Sequence, residues 1–233
     1  MGKHAQKRLI RKLELELFIS QVEPQPSPKA SLEQYTISGA IAAKMLYLAA
    51  YTNGDIIGKK VLDLGCGTGR LALGASYLGA QCVVGIEIDK AAIKTACSNS
   101  EKAGSSVNVQ WVLGDISTVR GSFDTVLQNP PFGVQKRTAD RKFLEKALQV
   151  GNIVYSLHNH PCLDKQLIQR LKANPGGLLQ VGPSPFMERF VESHHGVVKA
   201  VYAMLMTIPR MFDFHTKKKH DFVIDLYLLK RRG

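Results

Sequence analysis

A regular alternation of apolar runs and helical patterns constrains the fold of this chain more than any other feature. Strand–helix alternation predicts a parallel sheet with helices on both faces. Two late apolar runs have no helical pattern between them and predict an antiparallel pair at one edge. The chain is therefore predicted to form a seven-stranded, doubly wound α/β fold, mostly parallel with an antiparallel edge strand. The predicted strands are 60–64, 81–88, 107–113, 122–128, 153–157, 197–206 and 222–229, and the predicted helices are 70–78, 89–103, 141–150, 163–172 and 187–193.

A glycine-rich turn follows the first predicted strand. Val61-Leu62-Asp63-Leu64 runs directly into Gly65-Cys66-Gly67-Thr68-Gly69. Glycines let the backbone turn tightly and come close to a ligand, because no Cβ stands in the way. The spacing is G-x-G-x-G and not G-x-G-x-x-G, which favours a nucleoside such as S-adenosylmethionine over the pyrophosphate of a dinucleotide.

Carboxylates at the ends of the next two strands support a cofactor site. Glu87 stands about 20 residues beyond the glycines, where a carboxylate can accept hydrogen bonds from both ribose hydroxyls. Asp115 can accept from the adenine amino group, and Asp63 can help to hold the methionine end. A glycine-rich turn of an unrelated α/β protein is the alternative for the glycines alone. The predicted cofactor residues in this part of the chain are Asp63, Gly65, Gly67, Thr68, Glu87, Ile88, Asp115, Ile116 and Asn129.

The run Asn129-Pro130-Pro131-Phe132 follows the fourth predicted strand. An adenine amino nitrogen shares its lone pair with the ring and is a poor nucleophile. Two acceptors, the Asn129 side-chain oxygen and the Pro130 carbonyl oxygen, can pull it towards a tetrahedral geometry, and the prolines hold them in place. Phe132 offers a stacking face worth about 1–3 kcal/mol. A simple Pro-rich turn is the alternative, but the position after the cofactor motifs favours a catalytic role for Asn129, Pro130, Pro131 and Phe132.

The charge of the chain predicts a polyanionic partner. The formal net charge is +12 and the isoelectric point is about 9.6, which favours nucleic acid. A solvated charged face is the alternative for any single basic cluster. His158, His160 and Cys162 alternate like metal ligands, but no fourth ligand is visible in the sequence, so no metal is predicted. The predicted RNA contacts are Lys136, Arg137, Arg141, His158, Lys217, Lys218 and Lys219, and His158 is expected to lie at a sheet edge.

The N-terminal segment is predicted to differ from the rest of the chain. Residues 7–18 predict an amphipathic helix with Leu9, Ile10, Leu13 and Leu17 on its apolar face. Prolines then predict an extended linker, so we expect a basic helix and Pro-rich linker over residues 1–30 and a single domain over residues 31–233. No apolar run is long enough to span a membrane, and no cysteine pattern predicts disulfides. A cytoplasmic location is expected.

Several motifs together resemble one family. The chain is similar to the methyltransferase-like small-subunit ribosomal RNA adenine-N6 methyltransferases of archaea and eukaryotes. This resemblance implies the class I S-adenosylmethionine-dependent methyltransferase fold, an RNA adenine target and a small zinc-binding activator protein as partner. It also implies that Gln34 and Tyr35 cap the cofactor. The motifs are 32–35, 63–67, 129–133, 154–158, 214–219 and 225–226, and the stretch 174–185 is longer than is usual in the family.

We therefore expect an RNA methyltransferase that forms N6-methyladenosine in small-subunit ribosomal RNA. The same loop could serve guanine N2, DNA adenine or the glutamine amide of a release factor. The positive charge argues against a protein substrate, and the chain has no separate DNA-recognition domain. A catalytically idle RNA-binding module is a further alternative, against which the intact Asn129–Phe132 run argues.

Overall fold

The computed structural model describes residues 9–29, 37–132, 138–162, 164–174, 177–209 and 219–232. The helices in these ranges are α1 Lys12–Ser20, α2 Gly39–Tyr47, α3 Arg70–Tyr77, α4 Lys90–Ala103, α5 Ala139–Val150, α6 Lys165–Ala173 and α7 Pro185–Ser193. The strands are β1 Lys60–Leu64, β2 Cys82–Glu87, β3 Gln110–Leu113, β4 Phe123–Gln128, β5 Gly151–Asn159, β6 Leu179–Val181, β7 Gly196–Pro209 and β8 Lys219–Arg231.

The strands form one sheet in the order β3-β2-β1-β4-β5-β8-β7-β6. The five strands from β3 to β5 pair in parallel, whereas β8 pairs antiparallel to both β5 and β7. The predicted mostly parallel α/β fold with an antiparallel edge is confirmed. An eighth strand, the three-residue β6, pairs antiparallel with β7. It lies within the long stretch 174–185 and is too short to show an alternating pattern in the sequence.

The strand order reverses at β1, which lies between β2 and β4. The chain runs outwards through β2 and β3 on one side and through β4 and β5 on the other. Loops that leave β1 and β4 therefore diverge, and a crevice opens at their carboxyl ends. The glycine-rich turn after β1 and the Asn129–Phe132 run after β4 both lie at this switch point.

The central strands are buried on both faces. In β1, Leu62 and Leu64 pack with Leu144 and Leu148 of α5, whereas Val61 belongs to the cluster formed by α1, α2 and α3. Alternate residues of a strand point to opposite faces, so continuous burial requires helices on both sides of the sheet. α7 packs on the same face of the sheet as α5. α6 packs against residues of β7 and β8.

The predicted packing face of the N-terminal helix is wrong for its three leucines, although Ile10 is buried as predicted. Leu9, Leu13 and Leu17 are 62%, 67% and 59% exposed, whereas Leu15 and Ile19 are fully buried. The helix begins at Lys12, so Leu9 precedes it, and the buried pair has the i, i+4 spacing of a single helix face. α1 packs against α2 and α3 and contributes to their core. No helix in the described ranges combines the length and the apolar character needed to cross a membrane.

Leu15→Ala should lower the free energy of unfolding by about 3 kcal/mol, because it removes a fully buried side chain. Leu13→Ala should change it by less than about 0.5 kcal/mol, because that side chain is exposed. Urea unfolding of the two variants measures both values. Equal losses would contradict the observed packing of α1.

Candidate active site

A cavity of about 830 Å³ lies at the carboxyl ends of β1, β2 and β4. Its size is that of a small-molecule site. It joins the glycine-rich turn to the start of the Asn129–Phe132 run. The predicted site residues that line it are Asp63, Gly65, Gly67, Thr68, Glu87, Ile88, Asp115, Ile116, Asn129 and Pro131.

The glycine-rich turn is held against β2. The Gly65 and Cys66 N–H groups both donate to the Ile86 carbonyl oxygen at 2.9 Å. Gly67 has a φ of 54°, and a Cβ placed there would meet no atom within 4 Å. Any other residue at this position would therefore have an unfavourable backbone conformation. Its side chain would occupy open space in a turn that lines the cavity.

The Glu87 carboxylate joins the two loops of the predicted cofactor site. One oxygen accepts from the Gly67 N–H at 3.0 Å, and the other accepts from the Ile88 and Asp89 N–H groups at 2.9 Å. Glu87 is only 8% exposed. A carboxylate offers about four acceptor positions, so these three bonds still leave capacity for a ligand hydroxyl.

Two aspartates of the site are in contrasting environments. Asp63 is 1% exposed and accepts from the Ala72 N–H at 2.9 Å, which ties β1 to α3. Burial, with a smaller contribution from the charge of Glu87, raises the pKa of Asp63 to about 7, although the hydrogen bond from Ala72 acts to lower it. Asp115 is exposed, and hydrogen bonds from Ser117 lower its pKa. Their predicted contacts with the methionine and adenine ends of a cofactor stay predictions.

The Asn129–Phe132 run divides between cavity and core. Asn129 and Pro131 line the cavity, and Pro130 is buried. Phe132 does not belong to the cavity lining in the described ranges. Its ring meets Phe222 edge-on at a centroid distance of 6.3 Å and packs against the core cluster on the α1–α3 side. The stacking role of Phe132 therefore stays a prediction.

His158 does not lie at a sheet edge, and that expectation is wrong. It lies in β5, which is paired on both sides by β4 and β8, and it is only 6% exposed. His160, two residues further, bonds both oxygens of Asp225 through Nδ1 at 2.9 Å. Within the described ranges, no group of three or more His, Cys, Asp or Glu residues is arranged to hold a metal ion.

Buried side chains link His158 to the strand that precedes Asn129. The Gln128 Nε2 donates to Ser156 Oγ at 2.8 Å, and Ser156 Oγ lies 2.7 Å from His158 Nε2. Burial lowers the pKa of His158 to about 4, so the ring is neutral at pH 7 and Nε2 can accept the Ser156 hydroxyl proton. These two hydrogen bonds fix the side chain of Gln128, the last residue of β4.

Arg70 and Asn99 were missed by the sequence analysis. We define residues 22–29 as the N-terminal arm. Arg70 donates to the Val22 carbonyl oxygen at 3.1 Å and also bonds the Ile37 carbonyl oxygen. Asn99 exchanges two 3.1 Å bonds with the Glu23 backbone and donates to the Thr68 carbonyl oxygen at 3.1 Å.

The N-terminal arm thereby becomes part of the cavity wall. Its Gln25 lines the cavity and donates to Asp89, which also pairs with Lys29 at 3.0 Å. Arg70 directly follows the glycine-rich turn, but no periodicity in the sequence relates it to backbone carbonyls more than 30 residues away.

Of the remaining predicted residues, the structure describes Arg141 and Lys219. Arg141 lies in the first turn of α5, exposed, with its guanidinium carbon 4.8 Å from the centre of the Phe186 ring. Lys219 begins β8. The others lie outside the described residues: Gln34, Tyr35, Lys136, Arg137, Lys217 and Lys218.

Arg70→Ala should weaken binding of the predicted cofactor by about tenfold, because it releases both backbone contacts that hold the chain at Val22 and Ile37. Arg170→Ala is the matched control, since Arg170 is exposed on α6, a helix that contributes no residue to the described cavity lining. Isothermal titration with S-adenosylmethionine measures both affinities. Equal affinities in the two variants would remove this role from Arg70.

Acid should weaken the fold through His158. Its folded-state pKa of about 4 lies below the ordinary value of 6.5, so the unfolded chain takes up the proton first as the pH falls. The contribution of neutral His158 to the free energy of unfolding is fully present above about pH 6.5 and is lost between pH 6.5 and pH 4. At pH 4.5 the loss amounts to roughly 2 to 3 kcal/mol. Urea unfolding at pH 7.5 and pH 4.5 should show that the free energy of unfolding falls less for His158→Gln than for the wild type. An equal fall in both proteins would contradict the prediction.

Comparisons with known proteins agree with this geometry. A family model described as a methyltransferase domain matches residues 57–189. The rRNA N(6)-adenosine-methyltransferase METTL5 of Danio rerio is 36% identical over 218 residues, with 91% of this chain and 95% of that protein covered. The rRNA N(6)-adenosine-methyltransferase metl-5 of Caenorhabditis elegans is 30% identical over 224 residues, with 92% and 95% covered.

A solved structure has the same fold. The crystal structure of PH1948 from Pyrococcus horikoshii superposes with a TM-score of 0.78 at 34% sequence identity, covering 97% of this chain and all of that one. The match extends beyond the methyltransferase core and therefore includes the N-terminal segment and the antiparallel strands. By its sequence, its fold and the position of its cavity, the chain belongs to the class I methyltransferase family that includes METTL5.

Proposed function

We propose that this protein transfers a methyl group from S-adenosylmethionine to the N6 amino group of an adenosine in small-subunit ribosomal RNA. The observation that carries the proposal is the single cavity that joins the glycine-rich turn to Asn129. The names of the relatives from Danio rerio and Caenorhabditis elegans support the choice of ribosomal RNA and of the N6 position.

The residues of the cavity suit S-adenosylmethionine. Glu87 and Asp115 are acceptors for ribose hydroxyls and an adenine amino group, and Ile88 and Ile116 supply apolar surface between them. Open space at Gly67 lets a ligand approach the backbone closely. When bound, S-adenosylmethionine supplies an electrophilic methyl group. Gln34 and Tyr35, from the predicted cap, would complete this site.

The chain's own task is to orient the amino group. Asn129 stands at the cavity wall directly after β4, so its side-chain oxygen can accept one amino hydrogen, and the Pro130 carbonyl oxygen can accept the other. These bonds favour a tetrahedral nitrogen whose lone pair is free to attack. Buried Pro130 and the Gln128–Ser156 bond restrain the loop on which both acceptors lie. No strong base is needed, because the nitrogen becomes acidic once it is methylated.

Basic residues of the chain would hold the RNA backbone. We assign phosphate contacts to Lys136, Arg137, Arg141, Lys217, Lys218 and Lys219. His158 is left out because it is buried in β5. The net charge of +12 supports a polyanionic substrate, and affinity for RNA should then fall steeply as salt rises. Such a substrate would also agree with the expected cytoplasmic location.

A small zinc-binding activator protein is the partner that we propose, and the β3 edge is its docking surface. β3 pairs with β2, and no described strand pairs with its other side. Val112 and Leu113 on β3 are 41% and 51% exposed. A partner strand added there would satisfy the free backbone groups and cover the apolar side chains.

Asn129→Ala should reduce turnover by about a hundredfold or more, because the amino-group acceptor is lost, and should leave S-adenosylmethionine affinity within about twofold, because the loops after β1 and β2 supply most of the cavity's cofactor contacts. Asn108→Ala is the matched control, since Asn108 is exposed and its recorded hydrogen bonds with Ser76 use only its backbone. Methyl transfer to ribosomal RNA is measured with radiolabelled cofactor. Undiminished turnover would remove the role assigned to Asn129.

The identity of the substrate is tested by mass spectrometry of nucleosides from ribosomal RNA, with and without the protein. Loss of N6-methyladenosine at one position in the small subunit is the expected result. Loss of N2-methylguanosine would instead favour guanine, and unchanged ribosomal RNA together with lost methylation in digests of DNA or of a release factor would favour one of those acceptors. Failure to methylate any RNA, even with the activator present, would favour an idle binding module.

A further inference from the structure

An arginine and an aromatic ring form a pair beside the cavity. The Arg141 guanidinium carbon lies 4.8 Å from the centre of the Phe186 ring, within the distance of a cation–π contact. Phe186 is 41% exposed, so part of its ring is open to solvent. Arg141 is in the first turn of α5 and Phe186 is in the first turn of α7.

Both first turns lie at the active-site end of the sheet. α5 begins after the carboxyl end of β4 and leads back to the amino end of β5. α7 likewise leads to the start of β7, where Gly196 pairs with Arg231 beside the amino end of β5. The two helices therefore run in the same direction on one face of the sheet, with their amino ends towards the cavity.

Arg141 is the direct neighbour of a cavity residue. Lys142 lines the cavity, whereas Arg141 contacts Phe186 outside it. Consecutive residues of an α-helix point about 100° apart, which accounts for the two directions. The Arg141–Phe186 pair is thus adjacent to the cavity wall without being part of it.

The aromatic side of the pair is well supported. Phe186 lies 5.9 Å from Phe190, whose ring stacks on His194 at 4.2 Å, so three rings follow one another along α7. The start of this helix is held by Ser184, which caps the Met187 N–H and donates its own N–H to Tyr227 Oη at 3.1 Å. These contacts hold the ring under Arg141 in place before any ligand binds.

We propose that Arg141 and Phe186 form a stacking platform for an unpaired RNA base next to the adenosine that enters the cavity. Arginine planes and aromatic rings are the groups on which proteins stack splayed RNA bases. An arginine that already rests on a ring loses little freedom when a base covers its other side. This inference rests on the proposed function and adds a base contact to the phosphate contact assigned to Arg141.

The charge of the whole chain, +12, favours RNA over a protein partner as the occupant. The two helices themselves carry four basic and four acidic residues, so RNA is favoured by the chain as a whole and by the cavity beside the pair. The exposed apolar surface consists mainly of one ring, which is small for a protein interface. Protein docking is treated below as an outcome of the test.

Fluorescence anisotropy with a labelled 12-nucleotide single-stranded RNA, one adenosine flanked by uridines, tests the platform. Phe186→Ala and Phe186→Leu should both weaken binding by about fivefold or more, because neither side chain can stack. The slope of log affinity against log salt concentration should not change, since no phosphate contact is lost. Leu13→Ala is the matched control: Leu13 is 67% exposed, but it lies on α1, on the other face of the sheet.

A second RNA series tests whether a base is what stacks. The same oligonucleotide is made with an abasic site immediately 5′ or immediately 3′ of the adenosine. At one of these positions the abasic site should weaken binding by the wild type about as much as Phe186→Ala weakens binding of the intact RNA. The same abasic site should not weaken binding by Phe186→Ala any further, because that variant has already lost the stacking contact. Arg141→Lys should show the same pattern, because it keeps the charge but not the planar group.

Two results would overturn the platform. One is an unchanged RNA affinity of Phe186→Ala, and if binding of the activator protein is lost in the same variant, the surface is assigned to a protein. The other is an equal loss of affinity by Phe186→Ala on intact and on abasic RNA. RNA binding is measured here without methyl transfer. A wild type that stacks RNA but methylates no adenosine would refute the proposed function and leave the platform standing.

Discussion

The hydrogen bond between the Glu87 carboxylate and the Gly67 N–H is the contact on which the rest of the site depends. It joins the ends of β1 and β2 at the point where the strand order reverses. The other carboxylate oxygen holds the turn into α4 through Ile88 and Asp89. Because three backbone groups bond one buried side chain, the two loops that form the cofactor cavity are positioned together before a ligand binds.

Other buried contacts extend this arrangement in two directions. Arg70 and Asn99 connect the glycine-rich turn to the N-terminal arm, so chain far from the sheet in sequence becomes part of the cavity. Gln128, Ser156 and His158 connect β4 to β5 behind the amino-group acceptors. The cofactor side and the transfer side of the cavity therefore each have their own support, and they meet at the ends of β1 and β4.

The parts of the fold that were predicted correctly are those with strong local signals. Continuous apolar runs mark β1, β2 and β4, and glycine, carboxylate and Asn-Pro-Pro-Phe motifs stand at their ends. The errors arose where two patterns were possible. On α1, leucines at every fourth position suggested the packed face, yet Leu15 and Ile19 are buried instead. His158 was placed at an edge because the sequence does not show which strands pair on either side of β5.

By itself, the sequence determined the fold class, the order of the elements and the residue types of the cofactor and transfer motifs, because these depend on periodicity and on short spacings along the chain. Only the tertiary structure decided which face of α1 is buried, how Arg70 and Asn99 hold the N-terminal arm, and that Arg141 lies over Phe186. Those contacts join residues 31 to 76 positions apart, and they form only once the sheet brings its helices together.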